Sequence, residues 1–163
     1  MKTRAFGAFA VSVLCAGMAL AQDPIPYGEA GGWEVMIDTS LGNGCFLISE
    51  FEDGSVVRIG FDRNAGNGYV ATFNEAWGDI VEGQEYPVSF MLDDQQYDGT
   101  AVGLSLSGLP GAMISFDNVD FLADLATRQT LSLSNESGEV MVVDLSGSGA
   151  AIEQTIACQE EQG

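Results

Sequence analysis

Histidine is absent from this 163-residue chain. A nucleophile activated by imidazole, as in the Ser-His-Asp and Cys-His arrangements, therefore cannot form. Sites that use histidine ligands to bind zinc, haem or copper are excluded for the same reason. Carboxylates are the abundant titratable side chains that remain, with 24 Asp and Glu in the sequence.

Basic residues are almost as scarce, with five Lys and Arg against 24 Asp and Glu and a formal net charge of -19. After residue 21 there is no lysine, and the basic residues are Arg58, Arg63 and Arg128. Schiff-base chemistry and the phosphate-binding lysine of a P-loop are thus excluded from that part of the chain. Nucleic acids and anionic membrane surfaces would be repelled, so neither is expected as a partner.

The first 21 residues have the pattern of a secretory signal peptide. Lys2 and Arg4 form a positive n-region, residues 5–20 are an apolar run, and Ala-Leu-Ala at residues 19–21 is a cleavage site. The apolar run is too short to span a membrane comfortably, and no second run follows it. The sequence therefore predicts export to the periplasm or the extracellular space, cleavage after residue 21, and no integral membrane span in the mature form.

Three cysteines are present. Cys15 lies inside the predicted signal peptide, and Leu14 occupies the position where lipoprotein processing needs a small residue, so Cys15 is expected to leave with the signal. Cys45 and Cys158 remain, an even number in a chain that is predicted to be exported. We therefore expect them to form one structural disulfide.

The composition, 46% hydrophobic and 9% aromatic, is that of a folded chain. Residues 22–32 contain Pro and Gly without periodicity and are expected to be a flexible lead-in to a single β-rich domain over residues 33–163. Short runs with period-two alternation, separated by turn signals, predict strands at residues 33–38, 45–51, 55–61, 69–74, 86–92, 100–105, 112–116, 130–134 and 139–145. This spacing favours a mainly antiparallel sheet folded as a sandwich or open barrel.

Two segments depart from the strand pattern. Residues 117–128 have helical spacing of apolar side chains, which predicts a helix of about three turns with Asp117 as N-cap and Arg128 in the last turn. A second helical pattern begins at Ser148, the expected cap of a C-terminal helix that Cys158 would attach to the sheet. The fold class predicted from the sequence is therefore α+β.

Several of these positions resemble a group of small secreted proteins of alphaproteobacteria. The resemblance covers residues 33–158 and rests on Trp33, Cys45, Asp53-Gly54, Trp77, Gly83 followed by Tyr86, the helix after Asp117, and the ending Leu145-Ser146-Gly147-Ser148-Gly149-Ala150-Ala151 up to Cys158. It implies a periplasmic or secreted location and the disulfide. The group has no assigned activity, so the resemblance supplies no catalytic residue.

Two oxygen-rich loops imitate part of a calcium-binding loop. In the first, Asp94, Gln96 and Asp98 alternate as calcium ligands do, but Ser105 stands where such a loop has a bidentate glutamate. The second, residues 62–68, contains an arginine and also lacks the closing glutamate. Both are interpreted as turns, and neither a metal site nor another cofactor site is predicted.

The other acidic motifs have structural interpretations. Residues 38–40, Asp-Thr-Ser after an apolar run, resemble the lead of an aspartic protease site, but the glycine that follows Thr there is absent and no second copy occurs. Asp117, Asp120 and Asp124 would share one helix face, where they complement the helix dipole and Asp124 can pair with Arg128. The sequence accordingly predicts no catalytic residue.

The predicted function is that of a non-catalytic, exported accessory or binding domain with a strongly acidic surface, whose expected partner is a basic protein or peptide. One alternative is an envelope structural protein whose acidity maintains solubility. A less favoured alternative is a hydrolase that uses carboxylates alone, for which a carboxylate pair buried in a pocket would be the signature.

Overall fold

The computed structural model describes residues 23–118 and 120–163, so the predicted signal peptide lies outside the described residues. The elements in chain order are β1 (Ile25–Ala30), β2 (Trp33–Asp38), β3 (Gly44–Glu50), β4 (Val56–Asp62), β5 (Asn67–Phe73), β6 (Glu85–Leu92), β7 (Gln95–Leu106), β8 (Leu109–Phe116), α1 (Asp120–Leu125), β9 (Thr130–Asn135), β10 (Gly138–Asp144) and α2 (Ser148–Gln162). Single-turn 3₁₀ helices follow β2 (Thr39–Leu41) and β5 (Glu75–Trp77).

The ten strands form one sheet in the order β1-β2-β3-β4-β5-β8-β7-β6-β9-β10, and every pair of neighbours is antiparallel. The predicted α+β class with a mainly antiparallel sheet is confirmed. Each of the nine predicted strands overlaps a strand of the structure. The turn that contains Asp53 joins β3 to β4, and the Asp53 carboxylate accepts a hydrogen bond from the backbone N–H of Ser55 at 3.0 Å.

The prediction of a flexible lead-in at residues 22–32 is wrong, because most of that segment forms β1 and pairs with β2. Pro26 and Gly28 flank a shift in register, which an edge strand tolerates because one of its sides needs no ladder hydrogen bonds. Tyr27 and Ala30 pack against the larger of the two hydrophobic cores, the one on the side of the sheet where the helices lie. Pairing and burial, which local composition does not reveal, therefore order this segment.

Strand alternation divides the apolar side chains between the two faces of the sheet. The helix-side core contains Val57 and Ile59 of β4 and Val70 of β5, together with buried residues of both helices and of the other strands. α2 packs on this face against β1, β2 and β3. The opposite-face cluster is smaller, and its fully buried members are Phe46, Tyr69, Ala71 and Phe73.

Both predicted helices are present, but the internal helix is shorter than predicted, with Arg128 beyond its end, and both N-terminal caps differ from the prediction. The internal helix α1 is six residues long, and the carboxamide of Asn118, not the carboxylate of Asp117, accepts the backbone N–H of Asp120 at 3.0 Å. Ser148 is the first residue of α2 and is fully buried, so it does not serve as the cap. Gly147 takes that position with a positive φ of 80°.

A close contact between two backbones explains why the residue before α2 is a glycine. A Cβ at this position would collide with the backbone oxygen of Gly31, which itself has a positive φ of 59° in the turn between β1 and β2. The two backbones can approach this closely because neither residue has a side chain. The turn after β1 and the start of α2 are thereby packed together at one end of the sheet.

The disulfide between Cys45 and Cys158 links β3 to α2 across 113 residues of sequence. Both cysteines are fully buried. Beside them, the side-chain oxygen of Gln159 accepts a hydrogen bond from the backbone N–H of Cys45 at 2.9 Å. The predicted pairing is thus present, and it attaches the C-terminal helix α2 to β3.

Candidate functional site

A cavity of about 380 Å³ opens on the helix-side face of the sheet. Its floor is mainly apolar and comes from adjacent strands, with Val70 and Thr72 from β5, Ala112 and Ile114 from β8, and Ala101 from β7. Trp77 and Ile80 border it on one side, and Leu133 and Val140 on the other. This volume lies in the range of pockets that hold small organic ligands.

The cavity exists because the strands at its floor carry small residues. Ala101 lies opposite Ile114, and Gly103 lies opposite Ala112, in the pairing of β7 with β8. A side chain on Gly103 would collide with the backbone oxygen of Val81 in the loop that covers it. Small side chains therefore leave the hollow and let the loop approach the sheet.

The loop beside the cavity is fixed by its own hydrogen bonds. Gly103 exchanges two backbone hydrogen bonds of 2.8 Å with this loop, accepting from Gly83 and donating to Gln84. The hydroxyl oxygen of Tyr86 accepts the backbone N–H of Val81 at 2.9 Å. Asn74 caps the preceding 3₁₀ turn by accepting the N–H of Ala76 at 2.8 Å. The wall that carries Trp77 and Ile80 is thus held in place without a ligand.

The charged groups at the cavity are two carboxylates. Asp79 and Glu136 belong to the lining and are both solvent-exposed, and no basic residue is found among the described residues that line the cavity. A hydrolase that works with carboxylates alone needs one of them shielded from water so that it stays protonated. The cavity therefore combines an apolar floor with an exposed, negatively charged rim.

The aspartate of the protease-like sequence has a structural role. Asp38 is buried and pairs with Arg58 at 2.9 Å, and it also accepts the backbone N–H of Ser40 at 2.9 Å as the cap of a 3₁₀ turn. The Arg58 guanidinium carbon lies 3.7 Å from the centre of the Phe46 ring. Asp38 is thus the anion of a buried ion pair in the opposite-face cluster, away from the cavity.

The environment of Asp38 changes its pKa. Burial raises the pKa of this carboxyl, but the hydrogen bond from the Ser40 hydroxyl and the hydrogen bond and charge of Arg58 together outweigh burial and hold the pKa below its ordinary value. Neighbouring Tyr69 is also buried, and its pKa rises to about 12 because the phenolate would lose its hydration there. Both shifts favour the protonation states found at neutral pH.

The other two arginines are also held by contacts within the chain. Arg128 pairs with Asp124 at 3.0 Å, the i, i+4 ion pair expected from the sequence, and donates to Gln95 at 3.1 Å. Arg63 donates to the backbone oxygens of Gly42 at 3.0 Å, of Gln162 at 3.1 Å and of Gly163. Every arginine of the described chain therefore already has an intramolecular acceptor.

The loops that resemble calcium sites have the geometry of turns and strands. Gln96 and Asp98 lie in β7, opposite Met91 and Ser89 of β6, and the Asp98 carboxylate accepts the Ser89 hydroxyl at 2.7 Å. The side-chain amide of Gln96 also donates to the Asp98 carboxylate at 3.4 Å, so this carboxylate takes part in ordinary side-chain hydrogen bonds of the strand pair. Asp62 in the second loop accepts the backbone N–H of Asn64 at 2.9 Å.

Calcium at micromolar concentration is expected to change the Tm by less than about 1 °C, because a ligand stabilises a protein only if the folded state binds it. Scanning fluorimetry with calcium and with a chelator tests this. Asp94→Ala and Asp98→Ala serve as matched variants. A stoichiometric micromolar site in calorimetry that either variant abolished would contradict the expectation.

Two general findings concern metals and membranes. In the part of the chain that the structure describes, no three His, Cys, Asp or Glu side chains are grouped so as to hold a metal ion. None of the described helices has the length and apolar character needed to cross a bilayer. Of the two tryptophans, Trp33 is buried in the helix-side core, whereas Trp77 is half-buried and lines the cavity.

The cavity was not predicted from the sequence. The signal that could have pointed to it is the set of small residues at Ala101 and Gly103 in β7 and at Ala112 in β8. Their effect depends on the pairing of β7 with β8 and on the nearby loop, and neither can be read from one segment alone.

No family model matches the chain, and no curated protein matches it in sequence. Among solved structures, the crystal structure of invasion associated protein B from Bartonella henselae is similar to it, with a TM-score of 0.56. The two are 16% identical, and the similarity covers 81% of this chain and 96% of that chain. The chain therefore shares its fold with that protein.

Proposed function

We propose that this protein is a non-catalytic, exported binding domain whose acidic surface associates with a basic protein or peptide. The observation that carries the proposal is the distribution of charge. All three arginines of the described chain have intramolecular acceptors, while 24 acidic residues occur in the sequence. Asp38 and Asp124 are the acidic side chains that form ion pairs in the described part. The remaining carboxylates present a field of one sign to an approaching partner.

The site geometry favours binding over catalysis. A carboxylate-only hydrolase was the catalytic alternative, and its signature would be a pair of carboxylates buried in a pocket. The two carboxylates at the cavity are exposed, and the buried aspartate, Asp38, is neutralised by Arg58. These arrangements support a protein that recognises a partner without transforming it.

The buried disulfide supports the proposed location in the periplasm or outside the cell, because such bonds persist in oxidising compartments. Membership in the group of small secreted alphaproteobacterial proteins is part of the same proposal and rests on the sequence positions named above. An envelope structural protein is the second candidate function. It differs in that its acidity would serve solubility and would need no cationic partner.

A lysine-rich peptide is the probe for the proposed association. Its affinity for the protein is expected to fall at least about tenfold between low salt and about 0.5 M salt, because a short Debye length screens the attraction between exposed charges. Stopped-flow measurements should show that a slower association rate accounts for most of the fall in affinity. Isothermal calorimetry provides the equilibrium constant.

A peptide of the same length with glutamate in place of lysine is the matched control and should not bind. Neutralising any two exposed acids, for example Glu34→Gln with Glu52→Gln, should weaken the association of the lysine-rich peptide only slightly, since the field is distributed. Absence of binding at low salt, or an affinity independent of salt, would leave the structural-protein alternative as the better account.

A further inference from the structure

We propose that the cavity of 380 Å³ is a binding site for a small amphiphilic organic cation, a molecule with an apolar body and one ammonium or guanidinium group. This goes beyond the proposed association with a basic macromolecule, because it concerns a separate cavity that opens on the helix-side face. It follows from three properties of the cavity, which are its floor, its rim and its rigidity.

The floor selects an apolar body. Val70, Ala101 and Ile114 are buried residues of the helix-side core, and yet they also line the cavity. The apolar lining that is still in contact with water comes from Trp77, Ile80, Val88 and Val140. A ligand that covered these side chains would remove apolar surface from water, which is the main favourable contribution to binding in such pockets.

The rim selects positive charge. Asp79 and Glu136 are the charged residues of the lining, and both remain in solvent, where a cationic head group can approach them without first losing its own hydration. Trp77 also lines the cavity, and organic cations are attracted to indole rings. A fatty acid of the same size would be repelled by the rim and by the net charge of -19.

Hydrogen bonds within the chain hold the walls of the cavity in place. The loop that carries Trp77 and Asp79 is tied to β7 through Gly103 and to β6 through the hydroxyl of Tyr86. The opposite wall includes the hairpin between β9 and β10. A preformed pocket binds with little cost in ordering the protein, which favours small ligands of modest size.

Decyltrimethylammonium, decanoate and decanol, used below their micellar or solubility limits, are the probes. The cation is expected to bind with a dissociation constant at least about fivefold lower than that of the alcohol, and decanoate is expected to bind weakest. Calorimetry measures the affinity, and tryptophan fluorescence reports the site. Trp77→Phe should abolish the fluorescence change, because the other tryptophan, Trp33, is in the core and does not line the cavity.

Two kinds of variant test the location. Ala112→Leu fills the floor and is expected to weaken binding of the cation at least tenfold, whereas Met113→Leu, the next residue on the same strand but in the opposite-face cluster, should leave it unchanged. Val88→Phe, also in the lining, replaces Ala112→Leu if that variant does not fold. Asp79→Asn with Glu136→Gln should remove the preference for the cation over decanol, whereas Glu34→Gln with Glu52→Gln should preserve it.

No binding of the cation, equal or tighter binding of decanoate, or unchanged affinity in a folded cavity-filling variant would each overturn the proposal. The same cavity-filling variant should retain the salt-dependent association with a lysine-rich peptide. Failure of the cavity site is thereby distinguished from failure of the acidic-surface function.

Discussion

Removing the disulfide by Cys45→Ala with Cys158→Ala should lower the Tm by about 10 °C. The bond closes a loop of 113 residues, which is nearly the whole described chain. In the chain-entropy treatment, a loop of about 100 residues is worth up to about 4.7 kcal/mol, and observed values are about 2–4 kcal/mol. For a domain of this size, each kcal/mol corresponds to a few degrees in Tm.

Differential scanning calorimetry of the wild-type protein with and without reductant gives the same comparison without substitution. Reductant should lower the Tm of the wild type and have no effect on the double alanine variant, which is the matched control. Alanine is preferred to serine because both positions are fully buried, where a hydroxyl would need a partner. Equal Tm values in oxidised and reduced wild type would contradict the stabilising role.

Arg58→Met is expected to reduce the free energy of unfolding by about 3–5 kcal/mol, because it leaves the Asp38 carboxylate buried without its cation. Methionine retains most of the packing of the arginine stem against Phe46 but has no charge. Urea denaturation at neutral pH measures the loss. Arg128→Met is the matched control, since its ion pair with Asp124 is more exposed and is worth only about 0.3–0.5 kcal/mol.

The pH dependence of these variants provides a second readout. The folded-state pKa of Asp38 lies below its ordinary value of 3.8, so its contribution to stability is present at higher pH and is lost as pH falls through the lowered pKa. In Arg58→Met the buried carboxyl protonates more easily, and the stability difference from wild type should therefore narrow in acid. A difference that stayed constant from neutral pH to pH values below 3.8 would show that lost packing, not charge, causes the effect.

The strands of this fold were largely predictable from local sequence because each core strand carries its own alternation. In β4, Val57 and Ile59 face the helix-side core while Val56 and Arg58 face the other way. The C-terminal helix was predictable for the same reason, since its apolar residues recur with helical spacing. Secondary structure of this kind depends on neighbours in sequence, so a single segment contains the information.

Other features were misjudged because their determinants lie far away in sequence. Pro26 and Gly28 have the composition of a loop, and yet β2 supplies the hydrogen bonds that make a strand of them. Ser148 had the appearance of a cap, but the approach of Gly31 to Gly147 decides how α2 begins. Capping and edge pairing are set by contacts that form only when the sheet and helix meet.

The sequence by itself determined the chemical inventory of this protein. It lacks histidine, has few basic residues and carries 24 acids, and these facts limit the available chemistry in any fold. The even pair Cys45 and Cys158 was likewise enough to predict the disulfide. The set of reactive and charged side chains is a property of composition, and composition does not depend on how the chain is folded.

Only the tertiary structure decided where those side chains lie relative to one another. It put Asp38 beside Arg58 in the opposite-face cluster and left Asp79 and Glu136 exposed at the rim of an apolar cavity. The sequence alone does not show which of these acids is buried, and burial and neighbouring charge, not residue type, set how a carboxylate behaves. The cavity itself arises from strand register and small side chains on two paired strands, a relation that no single segment of sequence contains.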